Sequence, residues 1–545
     1  MNRLLRILAG GLLFFIVFAF AGAEPWAFSV WQVGILGVAS FLLYHQRGVT
    51  VSVLLKTVLG TLAFLTGFCV LQASFPTTLL SDVPWFPSSL MPLFTWEHIS
   101  LFITYAAVAA AASQLAGRSD TLKQFSLVIG LCGLAVVVCA VCLPDGEYIR
   151  LLTGMRGGGI GPFLNRNHAG VFIAMSAVVW LGYLSASFLD YAQFVGEHRK
   201  NQFFLRQFFF ILVFISLVVG AVFTRSRGGM LALFTGVFSY AFLGTGFVPD
   251  GWKKRLKGLV ITLLALALCS GWIATHTQEI NAFARRQSGT SAETRKMLYR
   301  AAWNLLEERP LWGIGVGAMP VAITPYLERQ IPSYVERLHS DWLELLLGLG
   351  FGGFLPVAAG IVCFVMLALR RMARLGRRKK LTFAALLASL SVMSAGSAVD
   401  FDLFIPATGG LFFFVLGMAC SPSYDKEHTR FCALPLPVVC GFVLLFAASC
   451  YLPVQKTMAW RLHLFGKGLL SHRQTAVYAE ALAHYPAPRY ALYLGNAYLK
   501  QSRSADPAQR AVLRAKAHQV ALTYLEKYPK EKELSRLYMR TLPQD

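Results

Sequence analysis

His339-Ser-Asp341-Trp-Leu-Glu344 sets an imidazole and two carboxylates just outside an apolar segment. Imidazole is the side chain that exchanges protons near neutral pH, so His339 can accept a proton from a hydroxyl within hydrogen-bond reach. Asp341 or Glu344 would orient that ring or restrain its loop, and the sequence does not choose between them. A helix-start histidine bonded to backbone is the structural alternative. The spacing is not that of a zinc site, because no second histidine is local.

A second group, Thr224-Arg225-Ser-Arg227-Gly-Gly229, is squeezed between two apolar segments. Two guanidinium groups at a membrane face call for an anionic partner, and a lipid-linked diphosphate suits their fork geometry. Phospholipid headgroups are the alternative, although snorkelling gives no reason for the adjoining Gly228-Gly229, read here as an element that lets another group come close. A third group, Arg156-Gly-Gly-Gly-Ile-Gly-Pro-Phe-Leu-Asn165-Arg166-Asn167-His168, offers donors to a phosphate or sugar, with Asn165 or Asn167 also able to cap the following helix. Glu293-Thr-Arg295 opens a periodic segment. Asp400-Phe-Asp402 lies in an apolar hairpin, where carboxylates are costly unless exposed or paired, so these two are expected to meet arginines from the other groups.

The elements that must hold these groups are membrane helices. Thirteen apolar segments are predicted at 7–23, 26–44, 51–73, 99–116, 124–143, 168–188, 207–223, 228–247, 257–273, 342–369, 381–398, 402–420 and 432–452. The first is too long and too closely followed by the second to read as a cleaved signal. With 56% hydrophobic and only 14% charged residues over 545 positions, a soluble fold could not hide the apolar surface. Lys and Arg collect in alternate gaps, at Arg3 and Arg6, Arg47, Arg118 and Lys123, Arg199 to Arg206, Lys253 to Lys257, Arg370 to Lys380, and Lys426 and Arg430. The N-terminus is therefore expected in the cytoplasm, and the polar groups, the loop 274–341 and the C-terminal tail on the outer side. The net charge of +23 is partly this topology signal, and nucleic acid is a poor partner because no aromatic and basic binding surface accompanies it.

Other motifs carry less chemistry. Nine of the ten cysteines fall in apolar segments and the tenth at the edge of one, so packing explains them better than disulfides. Gly313-Ile-Gly-Val-Gly317 lacks the strand, helix and acidic residue of a nucleotide fingerprint. Met297, Leu298, Ala301, Ala302, Leu305 and Leu306 form one helical stripe, predicting a short amphipathic helix lying along the membrane.

Taken in order, Asn165-Arg-Asn-His168-Ala-Gly, Ser226-Arg227-Gly-Gly, Glu293-Thr-Arg295 with Pro310-Leu-Trp-Gly-Ile-Gly-Val-Gly, His339-Ser-Asp-Trp-Leu-Glu and Val399-Asp-Phe-Asp-Leu-Phe-Ile-Pro-Ala resemble the O-antigen ligase family over about residues 160–420. That family includes lipopolysaccharide ligases, polysaccharide polymerases and protein O-oligosaccharyltransferases. Relatives often begin the last motif His-Ser-Leu, whereas this chain has Gly396-Ser-Ala. The resemblance implies an enzyme that transfers a glycan from undecaprenyl diphosphate to an acceptor hydroxyl with inversion, without nucleotide, metal or other cofactor. It implies His339 and Arg227 as catalytic residues and Arg225, Arg227, Arg295 and Arg166 around the diphosphate. Asn167, His168, Asp341, Glu344 and Asp400 would orient the loops or bind the acceptor.

The expected fold is an all-α polytopic membrane protein of the bacterial inner membrane, with about thirteen transmembrane helices (12–14), a large periplasmic loop and a small helical tail. Its parts are N-terminal membrane helices (1–160), a ligase-like core (161–420), a last membrane helix (421–452) and a periplasmic tail (453–545). The tail resembles a degenerate tetratricopeptide hairpin, suited either to binding an envelope protein or to bracing the outer loop. Partners are the lipid-linked glycan, a lipid, glycan or protein hydroxyl, and membrane lipids. A transporter would show repeated halves or polar breaks at the midplane, and an assembly scaffold gives no reason for arginines and histidine to converge.

Overall fold

The computed structural model describes residues 2–77, 85–144, 146–153, 159–189, 197–245, 292–328, 335–424, 429–528 and 532–542. These are almost entirely helical. In chain order they form α1 (Asn2–Phe18), α2 (Pro25–Gln46), strand β1 (Gly48–Ser52), α3 (Val53–Ser74), α4 (Pro92–Leu115), α5 (Ser119–Cys142), α6 (Glu147–Thr153), α7 (Arg166–Phe188), α8 (Glu197–Phe223) and α9 (Arg227–Thr245). After the segment 246–291 come α10 (Ala292–Glu308), α11 (Asp341–Ala373), α12 (Arg377–Val399), α13 (Pro406–Ala419), β2 (Thr429–Ala433), α14 (Leu436–Lys467), α15 (Ser471–His484), α16 (Pro488–Ser502), α17 (Pro507–Lys527) and α18 (Lys532–Thr541).

Ten of the described helices are long and apolar enough to cross a membrane: α2, α3, α4, α5, α7, α8, α11, α12, α13 and α14. The chain is a multi-pass membrane protein. Twelve of the thirteen predicted segments coincide with helices, the two not among those ten being α1 and α9; the segment 257–273, like Arg156, lies outside the described residues.

Contacts between gaps follow the alternation of charge. The gap after α2 and the gap before α14, both basic, pair as the antiparallel strands β1 and β2, with Gly48 opposite Ala433 and Ser52 opposite Thr429. At the other end, the Leu90 amide donates to the Ile314 carbonyl (2.9 Å), joining the gap after α3 to the large loop. In these two contacts, gaps that the sequence assigns to a common side meet each other.

Polar side chains inside the bundle are used to join helices, where water cannot compete. The buried Gln32 amide on α2 donates to Ser100 Oγ and Thr104 Oγ1 on α4, both at 2.7 Å. Helix α11 is broken at Gly350, whose φ of 62° and ψ of −178° are open to glycine alone. The Pro310–Gly317 run lies along that break: Ile314 and Gly315 amides donate to the Leu347 and Gly348 carbonyls, and Phe351 and Gly352 amides to the Pro310 and Leu311 carbonyls. A Cβ at Gly313 would meet the Gly350 nitrogen at 2.5 Å, so the glycines serve this backbone pairing.

The stripe on α10 is buried, with Leu298, Ala301, Ala302, Leu305 and Leu306 at most 2% exposed. It faces protein rather than membrane, packing with Leu338, Leu347, Ala491, Leu499, Ala517 and Leu537 in one core. The tail is therefore built into the support of the large loop. Tyr485 at the end of α15 donates to Glu97 on α4 (2.5 Å), and Lys456 on α14 pairs with the same carboxylate (2.7 Å).

Candidate active site at one end of the bundle

The predicted groups, with bonded partners separated by up to 234 residues, meet at one end of the bundle. His339 Nδ1 lies 2.9 Å from Asp400 Oδ1, between the start of α11 and the turn joining α12 to α13. A carboxylate only accepts, so the Nδ1 hydrogen donates to Asp400, and in the neutral form of the ring Nε2 carries the lone pair. The His339 side chain is 16% exposed, so it is not sealed from an incoming group.

Asp400 also accepts from Asn167 Nδ2 (2.5 Å) and from the Phe401 amide (3.0 Å). Asn167 Oδ1 in turn accepts from Ser226 Oγ (2.8 Å), and Ser226 Oγ accepts from the Gly229 amide (2.9 Å) at the first turn of α9. An unbroken polar chain runs from His339 through Asp400 and Asn167 to Ser226, which stands between Arg225 and Arg227. Both arginines are exposed, and their charges act on Arg166 at the start of α7. The cap of α7 is Asn165, whose side chain accepts from the Asn167 amide (2.9 Å), leaving the Asn167 side chain for Asp400 and Ser226.

Burial alone would raise the Asp400 carboxyl, but the His339 hydrogen bond and the charges of His168, His339 and Arg295 outweigh it and hold the group below the usual carboxylate range. Asp402 moves the other way, pushed up by burial, with the charge of Asp400 adding to the effect against the hydrogen bond from His168. A lowered folded value stabilises the protein at neutral pH, and that contribution is lost as pH falls through it. Asp400→Asn is therefore expected to flatten the acid limb of stability against pH, measured by thermal unfolding in detergent from neutral pH down through and below the usual carboxylate range.

Asp402 pairs with His168 (Nδ1 to Oδ1, 2.7 Å), and both side chains are buried. The hairpin carboxylates were expected to meet arginines. Asp400 does meet one, Arg295 Nη2 at 3.8 Å, but its nearer partner is His339, and Asp402 is bonded to His168. Arg295 Nη1 donates to the Val399 carbonyl (3.0 Å) at the end of α12, where a cation is favoured by the helix dipole. The Phe401 ring stands between the two pairs, edge-on to His168 (4.6 Å) and His339 (5.2 Å).

Asp341 and Glu344 restrain loops rather than the ring. Asp341 Oδ2 accepts from the Leu403 amide (2.8 Å) and its own amide donates to the Asp400 carbonyl, fastening the 400–403 turn. Glu344 accepts from the Leu338 amide (3.1 Å) and from Arg337 (2.6 Å), fixing the approach to His339. Tyr299 on α10 donates to the His339 carbonyl (2.8 Å). Among the described residues five non-glycines adopt positive φ, and two are here: His339 at 58° and Arg225 at 52°. Backbone held in this region costs of order 1–3 kcal/mol and persists where its surroundings over-determine it.

Gly228 and Gly229 let helices approach. A Cβ at Gly229 would meet Gly170 Cα on α7 at 3.0 Å, and one at Gly228 would meet Val399 at 3.2 Å. Gly229→Leu is expected to cost about 1–3 kcal/mol by forcing α7 and α9 apart, read as a lowered melting temperature or a loss of monodisperse protein.

Residues 211–358 match the family model described as O-antigen ligase. This stretch is similar to the O-antigen ligase family. It runs from within α8 into α11, so the O-antigen ligase region contains Arg225, Arg227, Arg295 and His339. Asn167, His168, Asp400 and Asp402 come from outside it, although they complete the hydrogen bonds of the same site. No curated protein matches the chain. The O-antigen ligase match supports glycan transfer of the ligase type, with glycans and lipids as the general class of partner.

Proposed function

We propose that the chain catalyses inverting, metal-independent transfer of a glycan from undecaprenyl diphosphate to an acceptor hydroxyl at the periplasmic face of the bacterial inner membrane. The observation that carries this reading is the polar chain from His339 to Ser226, because it ties a base to a pair of exposed arginines. The acceptor oxygen attacks the anomeric carbon while its proton passes to His339 Nε2. The bond from that carbon to the diphosphate oxygen breaks, and its electron pair leaves on the diphosphate. Arg227, with Arg225 and Arg166, meets the growing negative charge, so fixed guanidinium groups stabilise the transition state more than the resting donor. Asp400 keeps the His339 tautomer productive, while Asn167, Asp341, Glu344 and the His168–Asp402 pair hold the loops in register. Arg295 sits between the two functions, near enough to the carboxylate to tune it.

In this reading residues 161–420, with loop 274–341 facing the periplasm, form the reactive core. Residues 1–160 and 421–452 supply further membrane helices, and 453–545 form a periplasmic helical tail of the tetratricopeptide type that braces the loop. The N-terminus is cytoplasmic and about thirteen helices cross. Support comes from the same-side pairing of gaps and from α14, whose 32 residues span about 48 Å against a hydrocarbon core of about 30 Å.

The test is transfer by the purified protein in a chelator, from a synthetic undecaprenyl-diphosphate glycan to acceptors in donor-stripped envelope membranes. The expected product has the inverted anomeric configuration, with free undecaprenyl diphosphate released one for one. Retention of configuration, or dependence on a divalent ion, would contradict the mechanism.

A further inference from the structure

The polar face of α10 borders a cavity of about 600 Å³ that none of the steps above uses. That volume lies within the range of small-molecule sites, about 300–1,000 Å³. Tyr299, Trp303 and Val399 line it together with Arg295, Lys296, Arg300 and Asn304. Three cations line it, of which Arg300 pairs with Glu328 (3.3 Å) and Arg295 stands 3.8 Å from Asp400. Trp303 is half exposed. Aromatic faces with planar amide and guanidinium groups suit a ligand that is apolar on its ring faces and polar or charged at its edges, which is the character of an acidic sugar.

The cavity is joined to the reacting group at two points. Tyr299 on its wall donates to the His339 carbonyl, and Val399 is the neighbour of Asp400 and holds Arg295 through its carbonyl. A ligand seated along α10 therefore lies against the segments that carry His339 and Asp400.

We propose that this groove is the acceptor subsite and takes an oligosaccharide bearing phosphate or another anionic group, with Trp303 and Tyr299 stacking on sugar rings and Lys296 and Arg300 meeting the charge. The inference rests on His339 serving the acceptor, but its test does not depend on transfer. Full-length protein in neutral phosphatidylcholine nanodiscs is examined by saturation-transfer NMR with maltose 1-phosphate as probe, beside maltose and inorganic phosphate.

Wild type and His339→Ala are both expected to saturate the sugar ring protons. Trp303→Ala, and separately the double variant Lys296→Ser with Arg300→Ser, should lose at least ~5-fold of that signal, the scale of removing one anchoring side chain. Maltose should bind more weakly than its phosphate. Equal signals from wild type and Trp303→Ala would overturn the proposal, as would equal binding of maltose. Full displacement by equimolar inorganic phosphate would show a site for an anion alone. Loss of probe binding when anionic phosphatidylglycerol replaces the neutral lipid would make a lipid headgroup the occupant. If the probe binds as expected while purified protein fails to transfer, the groove stands and the catalytic reading falls.

Discussion

Replacing His339 with alanine is expected to lower glycan transfer at least ~10²-fold, the scale of a lost general base, in protein that is folded and still binds the donor. The imidazole is positioned from three directions: Asp400 at Nδ1, Tyr299 at the main-chain carbonyl, and Glu344 through the Leu338 amide. So much support for one partly exposed ring, on backbone held at positive φ, is what a reacting group requires. His339→Gln keeps a hydrogen-bonding side chain without a comparable base, and should be nearly as impaired. Wild-type rates in either folded variant, measured by single-turnover transfer, would remove His339 from the chemistry.

Arg227→Ala should cause a loss of similar size, at least ~10²-fold, because it removes a fixed charge from the site of diphosphate departure. Lysine carries the charge but lacks the planar fork, so Arg227→Lys should recover only part of the rate. The effect belongs in the rate of the bound complex more than in donor affinity, since the interaction strengthens as charge develops. A changed apparent affinity for the donor with an unchanged maximal rate would mean that Arg227 only holds lipid. Arg225 and Arg166 share the same field, so their single substitutions should be milder.

The membrane helices are legible because long apolar runs between basic gaps leave few other arrangements. The buried stripe of α10 is legible for the same reason of periodicity. Its target is not, because Ala491 and Ala517, on which it packs, lie in a tail some two hundred positions away and carry no local sign of the contact. The reactive groups can be picked out one by one from residue type. Their pairing cannot: Asp400 is 61 residues from His339 and 233 from Asn167, and only the meeting of α7, α11 and the α12–α13 turn brings them together.

Charge reasoning leads the hairpin carboxylates toward arginines, yet a buried carboxylate is satisfied equally by an imidazole N–H, and His168 and His339 are nearer. The one local hint is Asp-Phe-Asp itself, two carboxylates either side of a ring that separates two histidines. Gly228-Gly229 reads as room for another group and Gly313–Gly317 only as an incomplete nucleotide fingerprint, whereas helix α7 and the break at Gly350 are what come close.

The most direct test of the central claim compares envelope glycans, lipid-linked oligosaccharides and periplasmic proteins, by mass spectrometry, in cells lacking this gene and in cells rescued with wild type or His339→Ala. Loss of one glycan attachment with build-up of its undecaprenyl-diphosphate donor, restored by wild type and not by normally expressed His339→Ala, is the predicted result, and it names the acceptor. Unchanged profiles under conditions that make the glycan, or full rescue by His339→Ala, would contradict it.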